Sequence, residues 1–370
     1  MSDETLRNDS VVDNISEHRC GGLSAPSAVK PRDLDELQRI TRNILDPDKE
    51  LKDLIPEAIA LRDLFERLTQ FRIDHEHDIA AGQTRLDSGL AISPTLAAMC
   101  IRELFRTLAF IRGLNDAITD AASPGRPTRV LYAGCGPYAL LAVPLMAVLS
   151  PDKAIFTLLD IHSECLEKAC TLIASLELSC HIDDYVHADA TRYLIPADKK
   201  PDVIVSETMS VCLHNEPQVT IARKLLSQAP DALMVPQSVS VEAALLNFSR
   251  EHVFMPADYV GDFPEPDRDR IYLGKIFELN AASIDNWKNL DGDTLPAGRV
   301  KIPSRIESRY APHLLTDIVV YGRHRLQNYD CSLTVPQRLR GDIKAGDELQ
   351  FHYQLGNNPR LIHESAATGL

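Results

Sequence analysis

Several classes of function are ruled out by what the chain has little of. Basic residues are in deficit: 39 Lys and Arg stand against 53 Asp and Glu, a formal net charge of −14. General nucleic-acid binding needs a basic face to meet phosphates, and this composition argues against it. The apolar run from Ala139 to Leu149 is far shorter than the ~20 residues that span a bilayer. The first thirty residues, Met1 to Lys30, are polar and acidic and contain no apolar segment of the secretory kind. None of the eight cysteines sits in a C-x-x-C pair or a metal-type cluster. They read as reduced thiols of a cytoplasmic protein. His75 and His77 form an isolated pair without a third ligand, read as a polar loop near an active-site entrance. No metal, membrane or nucleic-acid partner is expected.

What is present is a chain of 370 residues, 44% hydrophobic, long enough for two domains. Residues 1–30 have the composition of a loosely held tail. Residues 31–122 carry apolar side chains near a 3.6-residue period, as in Leu51, Leu54, Ala58, Leu61, Phe65 and Leu68. Ser93-Pro94 has the form of an N-cap followed by a first-turn proline. After the Pro- and Gly-rich stretch from Ser123 to Pro127, strands and helices alternate. Strands are expected at Arg129–Ala133, Ala154–Leu159, Asp183–His187 and Pro201–Ser206. Helices are expected from the glycine turn through Leu149 and over Ser163–Leu176. Such alternation predicts a parallel sheet covered by helices, here over residues 123–237. From residue 238 to 370 the pattern is strand-like, with segments at Ser238–Leu246, Arg299–Ile302, Thr316–Tyr321, Tyr329–Thr334 and Glu348–Leu355. An antiparallel, barrel- or sandwich-like domain is expected there.

Gly134-Cys135-Gly136 follows the first of those parallel strands and opens a helix. Glycines at such a turn allow the backbone to approach a ligand closely. The string through Ala139 also fits the dinucleotide fingerprint G-x-G-x-x-A, which keeps an NAD(P)-dependent oxidoreductase in view. Asp160 ends the next strand, where a carboxylate can accept both hydroxyls of a ribose. Asp189 follows the third, where it could accept from an adenine amine or cap a helix. Both lie at carboxyl ends of strands, where open α/β sheets bind ligands.

The fourth strand runs into Ser206-Glu207-Thr208-Met209, and Glu216 returns nine residues after Glu207. Two carboxylates in one cleft raise each other's pKa unless a cation sits between them. A guanidinium, planar and permanently charged, is the natural cation. This segment resembles the double-glutamate loop of the protein arginine methyltransferases, which are class I S-adenosylmethionine-dependent enzymes. The resemblance spans roughly Leu104 to Leu246. It takes in Arg106-Thr107-Leu108, the glycine turn, Pro201 to Glu207, and Val235-Pro236 leading into the strand from Val239.

The resemblance implies a Rossmann-like class I methyltransferase domain preceded by helices and followed by a β-rich, barrel-like domain. It implies S-adenosylmethionine as cofactor, held by Arg106 at the methionine carboxylate, Gly134 and Gly136 at the methionyl and ribose part, Asp160 at the ribose and Asp189 at the adenine. Met209 would pack near the sulfonium or adenine. Glu207 and Glu216 would clamp a guanidinium, with His214 in reach of substrate, and a homodimer is the family's habit. The chain departs from the family at four places. Tyr138 stands at the third motif glycine, and Tyr132 at the acidic position before the first. No Tyr-Phe-x-x-Tyr occurs in the N-terminal helices and no Thr-His-Trp in the barrel, where Leu333 to Pro336 stand nearest. Those missing elements line the family's peptide pocket. The expected acceptor is therefore a small guanidine such as arginine, or another amine, with a protein arginine as the alternative. A non-catalytic nucleotide-binding protein, its cofactor site blocked by Tyr138, is the reading from a different class.

Overall fold

A computed structural model of the chain describes residues 31–69, 78–253 and 265–366. The expected tail at 1–30 and the His75/His77 pair lie outside the described residues.

The N-terminal region contains α1 (Pro31–Ile44) and α2 (Ile55–Thr69), then a short antiparallel hairpin of β1 (Thr84–Leu86) and β2 (Gly89–Ala91). It continues through α3 (Pro94–Met99) to α4 (Leu104–Asp120). Ser93 is the N-cap of α3, its side chain accepting from Leu96 N at 3.1 Å ahead of the first-turn proline. The hairpin corrects the expectation that the region 31–122 is helical throughout. Its strands are three residues each, too short for a period to show, but Asp87-Ser88-Gly89 is turn chemistry between them. Every residue of α4 from Arg106 to Leu114 is buried, as expected of a helix packed on all sides. It lies between the parallel sheet and the antiparallel domain, and it touches both.

The central sheet is built from β3 (Thr128–Ala133), β4 (Ala154–Asp160), β5 (Ile182–His187), β6 (Val203–Ser206) and β7 (Leu233–Val235). Between them run α5 (Val143–Val148), α6 (Ser163–Ser175) and α7 (Gln218–Leu226). The strand order is β5-β4-β3-β6-β7, all parallel. The order reverses at β3, so a crevice opens at the carboxyl ends between β3 and β6. The expected strands match within two residues. The helix after the glycine turn is shorter than expected, because Ala139 is in the left-handed region (φ 41°) and Pro144 is confined to a first turn.

The remainder is antiparallel: β8 (Ser238–Asn247), β9 (Arg270–Asn280), α8 (Ala281–Trp287), β10 (Thr294–Lys301), β11 (Tyr310–Tyr321), β12 (His324–Leu326), β13 (Gln337–Arg338), β14 (Glu348–Gln354) and β15 (Arg360–Ala366). One sheet has the order β12-β11-β8-β9, with β13 also on β11, and the other β10-β14-β15. In β14 burial alternates strictly, Leu349, Phe351 and Tyr353 facing inward. Tyr353, Phe277 and Trp287 stack in series, with centroids 4.8 and 5.3 Å apart. Tyr329–Thr334 is not a strand. Asn328 and Tyr329 are left-handed, Asp330 accepts from Gln327 N at 2.8 Å, and the chain turns into a single helical turn at Ser332–Thr334. No helix among the described residues is long and apolar enough to cross a membrane.

Candidate functional site

The crevice at the β3/β6 reversal encloses about 1020 Å³ counted out to its open mouth. Arg106, Gly134, Gly136, Asp160, Asp189, Glu207 and Glu216 all line it. Seven residues drawn from α4 and four strand ends thus meet in one cleft. Met209 and His214 do not line it: Met209 is buried in the core, and His214 is half-buried with an unpartnered buried Nε2.

At one end the polar groups are satisfied. Gly134 and Gly136 have φ of 73° and 63°, the left-handed region that favours glycine. Asp160 accepts from Gly136 N at 2.8 Å with one oxygen and from His162 N at 2.9 Å with the other. The carboxylate fixes the turn and keeps lone pairs for further donors. Asp189 accepts from Thr191 N at 2.8 Å and Thr191 Oγ1 at 2.7 Å through one oxygen. It caps a turn; no helix starts there. The other oxygen and the apolar Leu159, Ile161, Ala188 and Ala190 complete that wall. Tyr138 turns its ring onto Phe65 of α2, edge to face at 5.8 Å, and is 2% exposed. The ring packs on the helical layer and forms part of the cleft wall. Asp160, His162 and Cys165 each offer a donor atom within 4.8 Å of the others. Burial pushes the Cys165 thiol well up, which disfavours the thiolate a metal ligand requires.

The other end is charged and incompletely paired. Glu207 contacts the Arg106 guanidinium through Oε2, while its Oε1 is buried and has no hydrogen-bond partner among the described residues. Burial pushes the Glu216 carboxyl up to about 7, and the Arg106 charge only partly offsets this. For Arg106, burial alone lowers the pKa, but the Cys100 and Cys331 thiols and Glu216 outweigh it, so the guanidinium stays charged. Two carboxylates therefore share one internal cation.

The loop carrying these glutamates is held at many points. Cys212, Leu213 and Asn215 are left-handed, at φ 56°, 57° and 62°, conformations that persist only when their surroundings enforce them. Thr316 Oγ1 accepts from Cys212 N at 3.1 Å, Tyr353 OH donates to Leu213 O at 2.7 Å, and Asn215 N donates to Pro359 O at 2.8 Å. The antiparallel domain thus shapes the loop directly. Gln218, fully buried at the start of α7, is a residue that sequence reasoning missed. Its Oε1 accepts from Thr208 N and Thr208 Oγ1 at 2.9 Å, and its Nε2 donates to Ser206 O at 2.9 Å. Thr208 in turn lies against Gly134, where an added Cβ would stand 2.3 Å from its methyl. The only sequence signal was a polar residue in an apolar helix face two positions after Glu216.

No family model matches the sequence, and no curated protein matches it. Among solved structures, the chain is similar to the Trypanosoma brucei PRMT1 enzyme-prozyme heterotetrameric complex with AdoHcy, at 16% identity over 73% of this chain and 92% of that one, with a TM-score of 0.44. It is also similar to the crystal structure of PRMT6, at 12% identity over 73% of this chain and 98% of that one, with a TM-score of 0.48. Likeness at this level concerns the course of the chain and assigns no role to any residue.

Proposed function

We propose that this chain is an S-adenosylmethionine-dependent N-methyltransferase whose acceptor is a guanidino group. The observation that carries the reading is the pair of carboxylates in a buried cleft, Glu207 and Glu216, with one fixed cation against Glu207 and one oxygen lacking a donor among the described residues. Such a site calls for a second cation rich in N–H donors, and a guanidinium supplies five in a plane. That Glu207 already contacts the guanidinium of Arg106 supports its fitness for that group. A nicotinamide enzyme using the same turn leaves the paired glutamates without a task.

The satisfied end of the cleft fits the cofactor. Asp160 would hold the ribose, Asp189 the adenine amine, the glycine turn the methionyl part, and Arg106 the carboxylate. Tyr138 is seated on Phe65 and lines the cleft beside the glycine turn. When bound, S-adenosylmethionine supplies an electrophilic methyl group and departs as the thioether. The chain's own residues do the rest. Glu207 and Glu216 fix the plane of the acceptor and concentrate its charge on the nitrogens that do not attack. One of the carboxylates accepts the proton that the attacking nitrogen sheds as the methyl arrives, and passes it to solvent. Glu216 suits that task because its raised pKa brings it near neutrality.

The test is transfer of radiolabelled methyl from S-adenosylmethionine to guanidino acceptors, by the native chain and by Glu207→Gln. Labelled N-methylguanidines from the native chain alone would support the reading. Nicotinamide binding with no methyl transfer would replace it.

A further inference from the structure

The hairpin β1–β2 has no part in the glycine turn or the glutamate loop, yet it closes one side of the cleft. Leu86, Leu90 and Ala91 from it line the same cleft as Glu207 and Glu216. Its backbone lies directly on the glutamate loop: Leu90 N donates to Asn215 O at 2.7 Å. Gly89, at φ 141°, is where the two backbones touch. A Cβ there would stand 2.8 Å from Asn215 O, 3.0 Å from Pro217 N and 3.2 Å from the Glu216 carbonyl carbon. Only glycine allows this approach.

The hairpin is tied down around its rim. Thr84 Oγ1 is 3.1 Å from His162 Nε2, beside β4. Asp87 at the tip pairs with Arg192, beyond β5, at 2.8 Å. Arg85 donates to Asn357 O at 3.3 Å, in the turn between β14 and β15. That same turn supplies Pro359 O to Asn215 N. The backbone groups next to Glu216 are thereby used up: Asn215 O by the hairpin, Asn215 N by the β14–β15 turn, and Glu216 N by His214 O at 2.7 Å. A polypeptide acceptor laid across Asn215 and Glu216 would find both Asn215 groups and the Glu216 N–H already paired, and main-chain pairing is what gives extended peptides their affinity. The Asp87–Arg192 tie lies at the surface, so it is the most weakly held of these contacts.

Resting on the guanidine reading above, we infer that the hairpin Thr84–Ala91 is the roof of the acceptor subsite, with Leu86 and Leu90 as its specificity-determining side chains, and that it selects a small free guanidine over an arginine within a polypeptide.

The experiment measures kcat and KM of the full chain for N-ethylguanidine, L-arginine and an arginine flanked by glycines in a capped peptide. The native chain is compared with Leu90→Ala and Asp87→Ala, and melting temperature with S-adenosylhomocysteine reports that each variant folds and binds cofactor. The expected result is a kcat/KM for a free guanidine at least tenfold above that for the peptide. Leu90→Ala should narrow that ratio severalfold through a lower peptide KM, and Asp87→Ala should narrow it less. Peptide turnover equal to or above that of the free guanidines in the native chain would overturn the roof and leave the guanidine reading standing. Cofactor binding without transfer to any of the three would overturn both.

Discussion

The two ends of the cleft are built on opposite principles. Around Asp160 and Asp189 each carboxylate accepts backbone N–H groups at 2.8–2.9 Å, and the glycine turn is set before any ligand arrives. Around Glu207 and Glu216 a carboxylate oxygen has no donor among the described residues, a second carboxyl is forced up to about 7, and the loop between them holds three left-handed residues. The first end is finished by the fold. The second is an electrostatic demand that the described residues sustain without fully meeting, and a cationic ligand would meet it. A site of this kind sets the geometry of binding at one end and leaves the gain from pairing to the acceptor at the other.

The largest effect expected from breaking the unfinished end is loss of turnover. Glu207→Gln keeps shape and removes charge, and methyl transfer should fall by roughly 10²–10³, the scale seen when one transition-state contact is removed. Its affinity for S-adenosylhomocysteine in calorimetry should stay within a few-fold. Equal losses of both would mean that the two ends are not separable.

Breaking the finished end should act on cofactor instead. Asp160→Ala leaves Gly136 N and His162 N without their acceptor. Hydrogen bonds to a charged group contribute about 1.5–3 kcal/mol, so S-adenosylhomocysteine should bind roughly ten- to a hundredfold more weakly, as read by calorimetry.

The pH dependence sharpens the comparison. Glu216 clamps a cation only as carboxylate, so kcat/KM, which reports the free enzyme, should rise with pH through about 7. That limb should vanish in Glu216→Gln. Stability runs the other way. The folded chain holds the Glu216 proton more tightly than the unfolded chain, so between the ordinary value of 4.5 and about 7 this group's contribution to stability declines as pH rises. The melting temperature of Glu216→Gln relative to the native chain should therefore climb from pH 5 to pH 7.5.

The smallest effect concerns the scaffold behind both ends. In α4 an added Cβ at Gly113 would meet Val320 Cγ1 of β11 at 2.6 Å. Gly113→Ala should cost about 1–3 kcal/mol of stability by overpacking, seen as a lower denaturant midpoint with cofactor affinity unchanged at temperatures where the chain is folded.

Much of this was legible in the sequence, for physical reasons. Alternating β-branched strands and helices predict a parallel sheet, and the glycine turn, Asp160, Asp189 and Glu207 each fall at or just after a strand's carboxyl end, where the topology brings them together with Glu216 from the following loop. What stayed hidden depends on long-range contact. The roof hairpin is too short to show a period. Arg106 pairs with Glu207 because α4 passes beneath the loop, which no local pattern records. Tyr138, in a glycine's place, packs on Phe65 from a helix some seventy residues earlier, so its ring is anchored at the cleft wall. Met209, two residues after Glu207, turns into the core instead of the cleft.

The most direct test of the central claim is calorimetric titration of N-ethylguanidine into the S-adenosylhomocysteine complex of the native chain and of Glu207→Gln. The account predicts saturable binding to the native complex that weakens at least tenfold in the variant, with the first titration, of S-adenosylhomocysteine, alike in both. No binding of S-adenosylhomocysteine to the native chain, or guanidine binding that is indifferent to Glu207, would contradict it.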